Sequence, residues 1–146
     1  MKRIFGTKRQ LLAHSVAAIL LASASFLPVA GASSAETVQT AGGVPHVSGG
    51  VGTESRDRLA SLAGEFNLKL VFALKSGDYV SGVRVAIADA AGKTLLDTTS
   101  EGPWFLVRLP AGNYQIVATL SGNAVKRQVA LGAAKLQTID LRWASE

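Results

Sequence analysis

The spacing of apolar residues changes three times along the chain. A largely apolar run near the N-terminus gives way to a glycine-rich stretch, a helical period begins at Thr53, and a period of two follows beyond Leu68. Over residues 54–66 the apolar positions recur at i, i+3, i+4 and i+7, which predicts one short amphipathic helix with Thr53 as its N-cap. Its apolar residues form a stripe along one side of the helix, as in helices that pack against the core of their own domain. The stripe consists of Leu59, Leu62, Ala63 and Phe66.

Beyond Leu68 apolar and polar residues alternate, and this period of two is typical of β-strands. The segments are separated by turn residues at short, regular spacing, so about seven strands in one all-β domain are expected, as an antiparallel sandwich or barrel. Arg127 shares a face with Val125 and Val129, so its strand is predicted to lie at a sheet edge or to fray there. The residues predicted to face the core are Leu68, Leu70, Phe72, Leu74, Val83, Val85, Ile87, Phe105, Val107, Leu109, Tyr114, Ile116, Ala118, Leu120, Val125, Val129, Leu131, Ile139, Leu141 and Trp143.

Residues 1–35 have the layout of a secretory signal peptide. Basic residues come first, an apolar run follows, and small residues close the segment, so cleavage is expected after Ala32 or Ala35. An uncleaved membrane anchor is disfavoured because polar residues interrupt the run and Pro28 ends it before about 20 apolar residues are reached. The mature protein is therefore predicted to be exported, periplasmic or secreted, with no membrane span.

Removing the signal peptide changes the charge balance. The whole chain has 15 basic and 10 acidic residues, but four of the basic ones precede the cleavage sites. The mature chain is then close to neutral, which argues against nucleic acid as a partner. The chain contains no cysteine, so it has neither disulfides nor a lipid-anchored cysteine.

Residues 36–52 are rich in glycine and lack an apolar period, so they are predicted to form a flexible lead-in to a β-sandwich domain at 53–146. A phosphate-binding loop is disfavoured because no strand precedes these glycines and no lysine follows at the required spacing.

Catalytic groups are scarce in the predicted mature chain. Its one histidine, His46, lies in the lead-in, so a hydrolase triad lacks its base and a zinc site lacks ligands. The acidic residues of the predicted turns do not form a calcium loop. We therefore expect no enzyme activity, no cofactor and no metal site.

The stretch GVRVAIADAAGKTLLDTTSEGPWFLVRLPAGNYQIVATLSG resembles the carboxypeptidase regulatory-like, or transthyretin-like (prealbumin-like), domain family. The resemblance spans about Leu68 to Leu141 and implies a seven-stranded antiparallel Greek-key sandwich, commonly an accessory or adhesive module of exported proteins. Such a fold does not determine an activity. The positions that carry the resemblance are Val85, Asp89, Gly92, Thr99, Gly102, Trp104, Leu109, Pro110, Gly112 and Tyr114.

Two groups of residues are singled out as candidates. Pro110, Gly112 and Tyr114 are interpreted as a structural corner in which the tyrosine hydroxyl bonds back toward the turn. Tyr79, Trp104 and Arg108 are the candidate contacts with a ligand or partner, although Trp104 is expected to pack beneath the helix. The predicted function is a non-enzymatic protein-interaction or structural module of the cell envelope. The alternative is a small carbohydrate- or ligand-binding module that uses exposed aromatic side chains.

Overall fold

The structure, a computed structural model, describes residues 36–145; the predicted signal peptide and both of its cleavage sites lie outside this range. The described chain is mostly strand, in two sheets, with one helix that continues into a short 3₁₀ turn (Ala63–Glu65). The elements in chain order are β1 (Gln39–Ala41), β2 (Val44–Gly49), α1 (Gly52–Leu62), β3 (Leu68–Leu74), β4 (Arg84–Asp89), β5 (Thr94–Thr99), β6 (Trp104–Val107), β7 (Gly112–Leu120), β8 (Asn123–Leu131) and β9 (Gln137–Trp143).

The strands form two sheets. Sheet A has five strands in the order β1-β2-β6-β3-β9, and sheet B has four in the order β5-β4-β7-β8. All pairs of neighbouring strands are antiparallel except β3 and β9, which run parallel from Leu68↔Gln137 to Leu74↔Trp143. The expectation of a fully antiparallel arrangement is wrong at this one pair. Strands β4 to β8 lie between β3 and β9 in the sequence and supply the long connection that parallel strands require.

The main core lies between the two sheets. Alternation places every second residue of each strand there, and the predicted core faces are confirmed, with Leu74, Val125 and Ile139 only partly buried. The rings of Phe72 and Trp143 contact each other with their centroids 6.1 Å apart. This packing is the all-β sandwich that the apolar alternation indicates.

A second, smaller apolar cluster lies on the outer face of sheet A, the face turned away from sheet B. Leu59 of α1 is fully buried there and packs with Val47 of β2, Leu106 of β6 and Phe66. Val47 and Leu106 alternate with core-facing neighbours, so they point to the opposite side of the sheet. The helix therefore covers sheet A as a third layer.

The segment predicted to be a flexible lead-in is part of the sandwich. Strands β1 and β2 form a hairpin whose two-residue loop, Gly42-Gly43, has φ values of +57° and +81°. Positive φ at both loop positions is the geometry that tight hairpins favour. Strand β2 then pairs with β6, and Val44 and Val47 are buried on its two faces. The glycines that suggested flexibility form a turn instead.

The start of the helix also differs from the expectation. The residue before the first helical turn is Val51, with no side-chain cap, and Thr53 lies inside the helix. Gly50 and Gly52 have φ values of +94° and +81°, and the chain turns at these two glycines as it passes from the end of β2 into the helix. The backbone turn therefore sets the start of the helix, and the hydroxyl of Thr53 does not.

Arg127 lies in β8, one of the two edge strands of sheet B, and its side chain is exposed. The edge position predicted from this residue is confirmed. No helix within residues 36–145 is both long and apolar enough to cross a membrane.

Candidate functional site

Trp104 begins β6 and points to the outer face of sheet A, where the helix cluster partly covers it. The Lys69 ammonium group lies 3.3 Å from the centroid of its ring, in a cation–π contact. Gly50 packs against the base of the side chain so closely that an added Cβ would lie 3.0 Å from Cγ of Trp104. As the sequence predicts, the ring packs beneath the helix, and Lys69 occupies one of its faces.

Lys69 projects from β3 onto the same face. Partial burial lowers the pKa of its ammonium group, and the negative charge of Asp140 on β9 opposes that effect. The Lys69 ammonium group that contacts the indole ring is therefore already partly shielded from water.

Tyr79 is exposed, with 56% of its surface accessible. It pairs with Ala73 in an isolated antiparallel bridge between the Leu74–Asp78 and Val80–Phe72 backbone hydrogen bonds. Ala73 follows Val71, the partner of Trp104, by two residues, so the two aromatic side chains share a face about 7 Å apart along β3. The structure thus places these two candidate residues side by side.

Arg108 is distant from that pair. It follows β6, four residues beyond Trp104, which corresponds to about 13 Å along an extended chain. Its guanidinium donates to the carbonyl of Glu65 at 3.1 Å, and its backbone N–H donates to Pro45 O at 3.0 Å. Arg108 therefore connects the 3₁₀ turn to the sheet and does not form one site with the two aromatic residues.

The predicted tyrosine corner is present. The Tyr114 hydroxyl donates to the Pro110 carbonyl oxygen at 2.6 Å, and the tyrosine is buried in the main core. Burial raises the pKa of this phenol, and the nearby Asp89 charge adds to the effect. Gly112 has no positive φ, so its predicted conformational role is not needed here. The corner is part of the fold and presents no reactive group.

His46 is located in β2 and not in a flexible segment. The imidazole is buried and stacks on Phe105 with the ring centroids 5.6 Å apart. Its Nδ1 lies 3.1 Å from the carbonyl oxygen of Val44. The side chain of His46 therefore packs on the face of sheet A that carries Phe105, where it has a structural role.

A polar cluster that the sequence analysis missed surrounds Glu36. The Glu36 carboxylate accepts hydrogen bonds from the Arg58 guanidinium at 2.7 Å and from the Ser55 hydroxyl. The Ser55 hydroxyl in turn accepts a hydrogen bond of 2.7 Å from the N–H of Gly50. Gly49 leaves room for the acid, because a Cβ there would lie 2.5 Å from the Glu36 Cγ. No periodic pattern signals this cluster, because its members are separated by up to 22 positions.

The cluster changes the acidity of Glu36. Burial of the carboxylate acts to raise its pKa, but the hydrogen bonds from Ser55 and Arg58 outweigh burial and hold the pKa below its usual value. The charged form of Glu36 therefore ties the first described residue to α1.

Sheet B carries a shallow open groove of about 520 Å³ at one end, beside Gln115 and Gln128. The Asp89 carboxylate at its rim accepts hydrogen bonds from the backbone N–H groups of Ala91 and Lys93, at 3.0 and 2.9 Å. The Asp89 carboxylate therefore stabilises the turn in which it lies. Within the described part of the chain no three His, Cys, Asp or Glu side chains come together in a way that suits a metal ion.

A comparison with known protein families finds no matching family model, and no curated protein matches the chain.

Proposed function

We propose that this chain is a non-enzymatic, exported β-sandwich module that contacts another protein of the cell envelope. The observation that carries the proposal is the state of Trp104, whose ring packs on the helix cluster and against Lys69. An aromatic platform for a sugar needs an open ring face, whereas this ring stabilises the fold. What the domain offers to a partner is then its sheet edges and loops.

The finer fold assignment belongs to the same proposal. We assign the sandwich to a carboxypeptidase regulatory-like, transthyretin-like domain with seven Greek-key strands, β3 to β9. The motif residues and the Tyr114–Pro110 hydrogen bond support this assignment. Strands β1 and β2 then form an N-terminal extension of sheet A.

Export is proposed from the layout of residues 1–35. The absence of catalysis is proposed from the environment of His46. A general base must reach its substrate's proton, but this imidazole is buried against Phe105.

The alternative, a carbohydrate- or ligand-binding module, has one observation in its favour. Tyr79 is exposed and lies on the same face as Trp104, so a small ligand would contact the tyrosine and the edge of the indole. The coverage of the indole makes this the weaker candidate.

Two measurements on the exported protein test the choice. Affinity capture from an envelope extract with chemical cross-linking should recover a specific partner protein. Titration with glycans should leave the tryptophan fluorescence unchanged. A change in tryptophan fluorescence on adding a glycan would refute the proposal and support the alternative, if the change is lost in Tyr79→Ala but kept in the matched loop variant Ser81→Ala.

A further inference from the structure

The four strands at the sheet edges differ in how well they are protected against pairing with another strand. β1 has three residues, and β5 has an irregular register opposite Ile87 and Ala88 of β4. β8 carries Lys126 next to the exposed Arg127. Short length, a bulge and a lysine on the edge strand are features that discourage edge-to-edge pairing. Three of the four edges of the described sandwich therefore have such a feature.

β9 has none of these features. Its seven residues hold an unbroken register with β3, and its sequence, QTIDLRW, contains neither proline nor lysine. No strand of the described chain pairs with its other side. A regular edge of this length is a template for an additional strand.

Backbone hydrogen bonds show which residues of β9 direct their N–H and C=O groups away from β3. Gln137 N–H donates to Asn67 O at 3.0 Å, and Trp143 O accepts from Lys75 N–H at 2.7 Å, so the odd-numbered residues bond toward β3. Alternation then directs the N–H and C=O groups of Thr138, Asp140 and Arg142 away from β3. These groups are available to a strand that lies beside β9.

We propose that this edge of β9 pairs antiparallel with β9 of a second copy of the chain, with the two-fold axis at Leu141. The proposal goes beyond the proposed function, in which the partner is another envelope protein, because here the occupant of one sheet edge is a second copy of the chain. The dimer joins the two copies of sheet A into one continuous sheet.

Charge complementarity selects both the partner and the register. With the axis at Leu141, Asp140 of each copy lies opposite Arg142 of the other, so the two-fold axis produces this pair twice. Both residues are exposed, and opposite charges directly across a pair of strands stabilise the pairing. A shift of the axis by one residue, to Asp140, would instead place the two Asp140 carboxylates opposite each other.

The apolar face agrees with this register. Ile139 is only half-buried in one copy, and the pairing places it opposite Trp143 of the other. Leu141 then lies opposite itself on the axis. Dimerisation therefore covers an apolar side chain that the single sandwich leaves partly open.

The same pairing has a modest cost. Arg142 now donates to the Leu74 carbonyl at 3.3 Å, a long hydrogen bond at an exposed site, and it must release this bond to reach Asp140 of the second copy. A single strand pair also lies at the small end of protein interfaces, so a dissociation constant on the order of micromolar is expected.

Sedimentation equilibrium of the exported protein over a wide concentration range tests the proposal. The wild type should show a reversible monomer–dimer equilibrium that weakens at high salt. Asp140→Lys and Arg142→Glu should each weaken it by about tenfold or more, because each places like charges across the axis. Asp57→Lys, with the same charge change at an exposed helix position, is the matched control and should dimerise like the wild type.

A mixture of the two variants gives the sharpest result. The lysine introduced in one variant then lies opposite the glutamate introduced in the other, and the unchanged Arg142 lies opposite the unchanged Asp140. The mixture should therefore form a heterodimer at concentrations where each variant alone dimerises at least about tenfold more weakly than the wild type. Melting temperatures unchanged from the wild type would show that both variants are folded.

A monomeric wild type at high concentration, or a dimer that neither variant weakens, would overturn the proposal. If the wild type is monomeric but a β9 variant loses a cross-linked envelope protein, the occupant of this edge is another chain. Self-pairing is then wrong while the proposed function stands. Glycan binding at Tyr79 would instead remove the proposed function without affecting the sedimentation result.

Discussion

Replacing Tyr114 with phenylalanine removes one hydroxyl from the corner and leaves the packing of the ring in place. The lost interaction is the 2.6 Å hydrogen bond from the hydroxyl to Pro110 O. Its net contribution should be about 1 kcal/mol, the usual value for a single intramolecular hydrogen bond. Pro110 itself is exposed, so water can solvate its carbonyl after the substitution and no large desolvation penalty is added.

Urea denaturation followed by tryptophan fluorescence measures this change, since Trp143 is in the core and Trp104 lies under the helix. The midpoint should fall while the m-value stays constant, and the melting temperature should fall by roughly 4 °C. Tyr79→Phe is the matched control and should leave the midpoint unchanged, because that tyrosine is exposed. A loss below about 0.3 kcal/mol would show that the corner bond does not stabilise the fold, and a loss above about 3 kcal/mol would show that the ring had moved.

Three further substitutions test the helix, the polar cluster and the glycine packing. Leu59→Ala should cost about 2–5 kcal/mol in denaturant unfolding because the side chain is fully buried, and a cost under about 1 kcal/mol would mean that the helix is only loosely attached. Glu36→Gln should make the free energy of unfolding depend less steeply on pH in the acid range. The folded pKa of Glu36 is lowered, so its contribution is complete above the ordinary value of 4.5 and is lost as the pH falls through the folded pKa. Parallel acid profiles for variant and wild type would contradict this linkage. Gly102→Ala should prevent stable folding or lower the melting temperature strongly, because a Cβ there overlaps the backbone of Gly49, and a wild-type melting curve would refute this packing.

Much of the sandwich can be predicted from the sequence because one physical signal, alternating burial, repeats along every long strand. Leu68, Leu70 and Phe72 are each fully buried as the alternation indicates. Arg127 likewise marks an edge because a charge cannot be buried cheaply.

The pattern fails where backbone geometry decides the structure. The hairpin of β1 and β2 depends on positive φ at Gly42 and Gly43, and its short strands carry few apolar residues, so composition alone suggests a flexible segment. The helix start is set by Gly50 and Gly52 for the same reason, and the hydroxyl of Thr53 misleads.

Long-range contacts limit the prediction of the candidate site. The adjacency of Tyr79 and Trp104 depends on strand register across sheet A, and the carboxylate of Glu36 meets Arg58 only after the helix folds back on the sheet. A single sequence contains no periodic signal for such pairs, although the large apolar area of an aromatic ring did indicate that the indole of Trp104 would be covered.

The parallel pairing of β3 with β9 also affects how the protein is made. Five strands separate β3 from β9 in the sequence, so sheet A lacks one of its strands until the ribosome has synthesised residues 137–143. Contacts between such distant parts of a sequence form slowly. Completion of sheet A therefore waits for β9, and this delay suits the proposed export, since a chain threaded through a membrane must still be unfolded when it arrives there.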